Sequence, residues 1–334
     1  MEATVTDRDL VDGVLAGNRR ALAKAITLIE STRADHQTRA QALLAALLPK
    51  SGAAIRLGIS GVPGAGKSTF IEALGLTLIE QGMRVAVLAV DPSSSVSGGS
   101  ILGDKTRMEG LAQNEAAFIR PSPSSGSLGG VAEKTREALL LCEAAGYDVV
   151  IVETMGVGQS ETAVAGMTDT FVLLQLPNAG DDLQAIKKGI VELADIVVIN
   201  KSDLDAAAAD FAAAQMRSAL TLLRPASTHW QPQVLTASAI KRFAIGDFWQ
   251  AVASHRAALE AAGELAAKRQ RQALDWMWAL IDAGLRTRFR SHPGVVEALP
   301  QLQRAVEAGT VTPVAAAQRL LALPGHAYDN LKFE

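Results

Sequence analysis

The sequence has 334 residues, a formal net charge of −3 and 49% hydrophobic residues, which is enough for one large α/β domain with additions or for two domains. The near-neutral charge provides no basic face for nucleic acid, and no apolar run approaches the roughly 18 residues of a membrane span. Because the N-terminus carries acidic residues and lacks an apolar signal segment, the chain is expected to be cytoplasmic.

The first 52 residues are predicted to form a helical arm. Apolar residues recur at helical spacing in two patterns between residues 7 and 48, one from Leu10 to Ile29 and one from Ala40 to Leu47. The segment from Pro49 to Gly52 ends the pair. We expect this arm to pack against the following domain without a ligand of its own.

A glycine-rich segment lies between an apolar run at residues 55–60 and a helical pattern at residues 70–80. Strand, glycine loop and helix in this order are typical of a Walker A phosphate loop, in which backbone N–H groups surround a triphosphate. Lys67 is expected to contact the β- and γ-phosphates, and the Ser68 hydroxyl to face Mg²⁺. The predicted nucleotide-binding residues of this loop are Gly61, Val62, Pro63, Gly64, Ala65, Gly66, Lys67, Ser68 and Thr69.

The next apolar strand, at residues 84–90, leads into Asp91 and a long loop of small residues that reaches Asp104. Long loops without regular structure are usually functional or disordered. Because this loop leaves the carboxyl end of a strand beside the phosphate loop, we interpret it as a mobile switch. Asp91 and Asp104 are therefore predicted metal ligands.

A further apolar strand, at residues 148–152, runs into Glu153. A strand that ends in a carboxylate is typical of a Walker B element, where the acid holds Mg²⁺ through water; most GTPases have aspartate at this position. Gly156 can donate its N–H to the γ-phosphate, and Gln159 completes a predicted second switch. We therefore assign catalytic roles to Lys67, Glu153, Gly156 and Gln159.

The motif N-K-x-D follows a later apolar strand, at residues 200–203. The Asp203 carboxylate can accept hydrogen bonds from guanine N1–H and N2–H₂, whereas adenine would leave it unpaired. Asn200 and Lys201 are expected to brace the base-binding loops, and Ser238-Ala239 to approach guanine O6. The alternation of strands and helices from residue 55 to about residue 255 predicts an α/β P-loop G domain with a mostly parallel sheet.

The C-terminal part begins with a long helical pattern at residues 263–290, which has two apolar stripes. A helix this apolar is expected to be buried on more than one side, partly by later helices and partly by a second subunit. Lys268, Arg269 and Arg271 are interpreted as a solvated face. The predicted organisation is a helical arm at 1–52, a GTPase domain at 53–262 and a helical dimerisation extension at 263–334.

Together these motifs resemble the MeaB/MMAA (ArgK-type) family of P-loop GTPases over nearly the whole chain. The resemblance implies a homodimeric GTPase that binds GTP or GDP with Mg²⁺ and acts as a chaperone of adenosylcobalamin-dependent methylmalonyl-CoA mutase, gating cofactor loading and protecting the mutase from inactivation. It further implies that residues 178–188 form a third switch that faces the mutase. Met155 and Ser202 depart from the family pattern, at variable positions.

Two other functions are compatible with a nucleotide-binding chain. A metallochaperone GTPase of the nickel-insertion kind would need cysteine or histidine ligands, whereas this sequence has one cysteine and five scattered histidines. A nucleotide-dependent transport or kinase component would favour adenine, and Asp203 argues against that base.

Overall fold

The computed structural model describes residues 5–90, 108–121, 128–154, 160–177, 188–223 and 227–323. Its centre is a sheet whose strands are β1 (Ile55–Gly61), β2 (Val85–Val90), β3 (Ala117–Arg120), β4 (Val149–Thr154), β5 (Thr170–Gln175), β6 (Ile196–Ile199) and β7 (Gln233–Thr236). The seven strands have the order β3-β2-β4-β1-β5-β6-β7. Every pairing is parallel, so the predicted α/β sheet is confirmed.

The strand sequences explain why the sheet is buried on both sides. β2, β4, β5 and β6 are continuous apolar runs or nearly so, and all of their residues are buried. Such runs, rather than alternating ones, are typical of parallel strands covered by helices on both faces. The central strand β1 pairs with β4 on one side and β5 on the other, which places its carboxyl end in the middle of one sheet edge.

The helices, in chain order, are α1 (Val5–Leu15), α2 (Arg19–Glu30), α3 (Ala34–Leu47), α4 (Lys67–Glu80), α5 (Glu109–Gln113), α6 (Leu128–Ala144), α7 (Ser160–Ala165), α8 (Lys188–Leu193), α9 (Ala206–Thr221), α10 (Ile245–Ala261), α11 (Glu264–Ser291), α12 (Pro293–Glu307) and α13 (Pro313–Ala322). Helices α1 to α10 pack on the two faces of the sheet. One hydrophobic core contains residues of α4 and α10, and the other contains residues of α6, α9 and the N-terminal arm. Helices α2 and α3 pack on α6.

The N-terminal arm has three helices where the sequence pattern predicts two. The chain turns between α1 and α2, where Gly17 has a left-handed φ of 70°. Asn18 then caps α2, because its side-chain oxygen accepts from the backbone N–H groups of Arg20 and Ala21. A glycine followed by an asparagine cap ends one helix and starts the next, although the apolar spacing continues across the break.

A network of ion pairs ties α11 to the amino-terminal edge of the sheet. Asp169 precedes β5 and is 1% exposed, and its carboxylate accepts from both Nε and Nη2 of Arg269, at 2.8 and 2.7 Å. Arg269 also donates to the backbone oxygens of Gly52 and Ala54, and Lys268 Nζ donates to Asp169 O at 2.6 Å. The interpretation of Lys268 and Arg269 as a solvated face is therefore wrong.

A second buried cluster lies at the same edge, around Asp195. Its carboxylate accepts from Phe171 N at 2.8 Å and lies 3.4 Å from His255 Nε2, while His255 Nδ1 is 2.8 Å from Thr170 Oγ1. Burial alone would raise the pKa of Asp195, but the hydrogen bond from His255 and the nearby charge of Lys268 outweigh it and lower this pKa. The amino-terminal edge thus holds paired charges with a structural role.

The chain divides into two compact units, residues 1–269 and 270–334. Within the second unit, α12 and α13 contact each other. The apolar stripe on α11 is exposed in the single chain, and Trp278, for example, is 60% exposed. Across the described ranges, no helix combines the length and hydrophobicity that crossing a membrane requires.

Cys142 is the only cysteine of the sequence. It lies on α6, is fully buried in the core beside the N-terminal arm, and burial raises the pKa of its thiol. Cys142 is therefore a core residue, as its apolar neighbours in the sequence predict.

Candidate functional site

The predicted phosphate loop connects the carboxyl end of β1 to the first turn of α4. Gly64 and Gly66 have left-handed φ angles of 80° and 83°, which residues other than glycine rarely adopt. A Cβ at Gly66 would lie 2.9 Å from Asn200 Nδ2, and a Cβ at Gly61 would clash with the backbone oxygen of Leu174. The glycines therefore permit both the turn itself and its close packing against neighbouring loops.

Lys67 begins α4, and its side chain turns back over this loop. Its Nζ donates to the backbone oxygen of Gly61 at 2.8 Å and lies 3.4 Å from that of Val62. The N-terminus of α4 contributes N–H groups that have no acceptor within the helix and the positive end of the helix dipole. Together they create the electrostatic setting that binds phosphate at helix N-termini.

Ser68 and Glu153 meet beside the loop. Glu153 lies near the carboxyl end of β4, is 2% exposed and pairs in register with Ile59 of β1. Its Oε1 accepts from Ser68 Oγ at 3.1 Å. Hydroxyl and carboxylate oxygens are ligands that Mg²⁺ prefers, usually together with water and substrate phosphates, so this pair fits a magnesium ion. The other predicted residues of this region, Asp91, Asp104, Gly156 and Gln159, lie outside the described residues.

Asn200 connects the phosphate loop to the loop that follows β7. Its Nδ2 donates to the backbone oxygen of Ala65 at 2.8 Å, and its Oδ1 accepts from Ala239 N at 3.2 Å. Since Asn200 is 1% exposed and both ends of its amide are used, it fixes the distance between the two loops. The structure thus brings together segments that lie more than 100 residues apart in the sequence.

Asp203 of the N-K-S-D segment and Ser238 of the loop after β7 form a hydrogen-bonded pair. Ser238 Oγ donates to Asp203 Oδ1 at 2.5 Å and accepts from Lys241 N at 3.2 Å. Ser202 N also donates to the backbone oxygen of Ala237 at 3.0 Å. The N-K-S-D segment and the loop after β7 are therefore held side by side, with one Asp203 oxygen oriented by Ser238.

Backbone strain is concentrated at this pair. Among the described residues, the non-glycine residues with left-handed φ angles are Lys201, Arg242 and Ala244, at 61°, 50° and 58°. All three lie in the two segments that Asp203 and Ser238 connect. Such conformations persist only where the surroundings enforce them, and they cluster at functional sites.

Gln175 is a buried residue at the carboxyl edge of the sheet, and the sequence patterns do not single it out. It ends β5 and is 2% exposed, and neither polar atom of its amide has a hydrogen-bond partner among the residues that the structure describes. Its backbone oxygen accepts from Asn200 N at 2.9 Å. The available sequence signal is a polar residue at the end of an apolar strand, comparable to Glu153 near the end of β4.

Replacing Gln175 with leucine is expected to stabilise the protein by about 1 kcal/mol, because an unpaired buried polar group costs about 1–3 kcal/mol. Differential scanning calorimetry should show the thermal midpoint raised by about 2 °C. Gln233→Leu, at a partly buried amide on β7, is the control and should change the midpoint little. A lower midpoint for Gln175→Leu would contradict the prediction.

Comparison with known proteins agrees with this arrangement. Residues 22–294 match the family model described as methylmalonyl-CoA mutase-associated GTPase MeaB. GTPase ArgK of Escherichia coli K12 is 56% identical over 262 residues, which are 78% of this chain and 79% of that protein. The mouse protein named methylmalonic aciduria type A homolog, mitochondrial, is 49% identical over 96% of this chain and 80% of its own length.

A solved structure shares the fold over nearly the whole chain. The crystal structure described as LAO/AO transport system kinase superposes with a TM-score of 0.79 and 40% sequence identity, covering 97% of this chain and 99% of its own. The match to the family model spans the phosphate loop, Glu153 and the N-K-S-D segment. The chain therefore belongs to the MeaB/ArgK/MMAA family of GTPases.

Proposed function

We propose that this GTPase is a chaperone of methylmalonyl-CoA mutase, in which GTP hydrolysis gates the loading of adenosylcobalamin and protects the mutase from inactivation. One observation carries the proposal: the chain matches a family described by its association with this mutase. The contacts among Lys67, Ser68, Glu153 and Asn200 at the carboxyl edge of the sheet support the proposed nucleotide site. The arrangement of these side chains supports the proposed dependence on nucleotide, and the description of the family supports the mutase as the proposed partner.

The phosphate end of the proposed site has three tasks. Lys67 and the N–H groups at the start of α4 bind the β- and γ-phosphates and balance their charge. Ser68 and Glu153, with Asp91 and Asp104, would hold Mg²⁺, which neutralises negative charge on the phosphates when it is bound. Backbone N–H of Gly156 would contact the γ-phosphate, and Gln159 belongs to the same second switch. The remaining loop residues, which would surround the phosphates, are Gly61, Val62, Pro63, Gly64, Ala65, Gly66 and Thr69.

The part of the proposed site around Asp203 would select guanine. The Asp203 carboxylate accepts from N1–H and N2–H₂ of the base, and its hydrogen bond from Ser238 restricts its rotation. Asn200 and Lys201 keep the base loop at a fixed distance from the phosphate loop, and the backbone of Ala239 approaches guanine O6. An adenine base presents an acceptor at N1 and would leave the Asp203 carboxylate without a donor from the base.

We also propose that residues 263–334 are a dimerisation extension, so that the GTPase acts as a homodimer. The support is the exposed stripe on α11, whose large apolar members include Leu274, Met277, Trp278, Ile281 and Leu285; Leu280, on the second stripe, is exposed as well. Exposed groups of large apolar side chains on one face of a helix are typical of protein–protein contact sites. The proposed GTPase domain at 53–262 and the arm at 1–52 would then be carried by each subunit.

The test is GTP hydrolysis with and without purified apo-mutase. Hydrolysis is expected to accelerate on the order of tenfold, which corresponds to ~1.4 kcal/mol of transition-state stabilisation, and adenosylcobalamin transfer to the mutase should depend on the bound nucleotide. An unrelated acyl-CoA-binding enzyme serves as the control. Unchanged hydrolysis together with nucleotide-independent loading would reject the proposal.

The same preparations distinguish the competing functions. A metallochaperone would bind nickel or zinc in equilibrium dialysis and release it on hydrolysis. A kinase component would transfer labelled γ-phosphate to protein, whereas the proposed GTPase should release all of the label as inorganic phosphate.

A further inference from the structure

Large apolar side chains are exposed around the proposed base-binding pair of Asp203 and Ser238. Leu204, which follows Asp203, is 75% exposed, and Ile240 and Phe243 in the loop after β7 are 71% and 58% exposed. Single exposed apolar residues are common on protein surfaces. Three of them, in two short segments that contact each other, instead indicate a binding surface.

The backbone of this loop fixes the side of the loop on which Phe243 lies. Ser238 and Phe243 form an isolated antiparallel bridge, in which Ser238 N donates to Phe243 O at 3.2 Å and Phe243 N donates to Ser238 O at 3.0 Å. Residues directly opposite each other in an antiparallel pair have their side chains on the same face. Since the Ser238 hydroxyl contacts the Asp203 carboxylate, the Phe243 ring lies on the face that carries Asp203.

The positions on either side of Phe243 are strained. Arg242 and Ala244 both have left-handed φ angles, and the surrounding structure holds each of them in place. Arg242 Nη1 donates to Glu80 Oε1 at 2.8 Å, and Ala244 is the N-cap of α10, with its backbone oxygen accepting from Phe248 N at 3.0 Å. The fold thus maintains an unfavourable backbone conformation on both sides of an exposed aromatic ring.

The chemistry of a purine explains what such a ring would do. A carboxylate reads the edge of guanine, but the two faces of the base are apolar and gain little from that contact. Aromatic side chains stack on base faces with a favourable contribution that does not depend on edge hydrogen bonds. We propose that Phe243 packs against the face of the guanine base, so that Phe243 determines nucleotide affinity; the inference rests on the proposed position of the base at Asp203.

The test compares a ligand that has a base with one that lacks it. Titration calorimetry of Phe243→Ala should show affinity for GDP reduced about tenfold, as expected for the loss of one stacking contact, and unchanged affinity for inorganic pyrophosphate. Phe243→Tyr, which keeps an aromatic ring, should retain wild-type GDP affinity. Phe211→Ala, at a 65% exposed phenylalanine on α9, is the matched control and should change neither affinity.

Two results would overturn the inference: Phe243→Ala binding GDP as tightly as wild type, or losing affinity for GDP and pyrophosphate equally. Asp203→Asn separates this failure from a failure of the proposed site, because the amide should weaken GDP and improve xanthosine diphosphate. If that switch occurs while Phe243→Ala has no effect, only the Phe243 contact is wrong. If Asp203→Asn leaves the preference for GDP unchanged, the base does not bind at Asp203 and both proposals fail.

Discussion

Replacing Lys67 with alanine is expected to reduce GTP affinity on the order of a hundredfold. The ammonium group is held over the phosphate loop by the backbone oxygens of Gly61 and Val62, and a hydrogen bond to a charged group contributes ~1.5–3 kcal/mol. Removing it deletes the positive side chain that we propose contacts the β- and γ-phosphates. Titration calorimetry with GTP and GDP measures the loss directly.

Lys50→Ala is a suitable control for this experiment. Lys50 is exposed and precedes β1, so its removal changes the net charge equally without touching the loop. Circular dichroism of both variants should match that of the wild type. GTP affinity that is the same in Lys67→Ala and wild type would show that the triphosphate does not bind at this loop.

The second large effect is expected at the opposite edge of the sheet. Arg269→Ala should lower the free energy of unfolding by about 3 kcal/mol, because removing one partner of a buried ion pair leaves the other charge uncompensated. Asp169 is 1% exposed, and among the described residues its carboxylate would keep the hydrogen bond from the backbone N–H of Arg56. The backbone oxygens of Gly52 and Ala54 would also lose the hydrogen bonds from Arg269. Urea denaturation of the full chain measures the change.

Arg271→Ala provides the matched control, since Arg271 lies two residues further along α11 and is exposed. The free energy of unfolding of Arg271→Ala should stay within about 0.5 kcal/mol of the wild type. The double variant Arg269→Ala with Asp169→Asn should be less destabilised than the two single losses combined, because no unpaired carboxylate remains. A loss below 1 kcal/mol for Arg269→Ala alone would contradict the structural role of this pair.

The sequence was sufficient for the elements whose signals are local. The continuous apolar runs of β2 and β4 predict buried parallel strands, and the spacing of glycines, Lys67 and Ser68 predicts a phosphate loop. Apolar spacing failed at Gly17, where a left-handed glycine and the Asn18 cap break a helix whose hydrophobic pattern continues. There the cap chemistry, rather than the periodicity, decides the boundary.

Features that depend on distant residues could not be read in the same way. Arg269 and Asp169 are separated by 100 positions, so a basic run at a helix start looks solvated until the sheet edge beside it is known. The order of the strands is equally non-local. Gln175 shows a third case: a polar residue at a strand end indicates a site, but its lack of a hydrogen-bond partner among the described residues emerges only from the packing.

The burial of Cys142 has a practical consequence for the study of this protein. Its thiol lies in the core between the sheet and the N-terminal arm, and its raised pKa keeps it protonated. Alkylating reagents require an accessible thiolate, so they can modify the chain only when this core opens. The rate of alkylation of the native protein therefore measures how often helix α6 and its neighbours separate, and a cysteine introduced on the surface could be labelled selectively for fluorescence without removing the natural one.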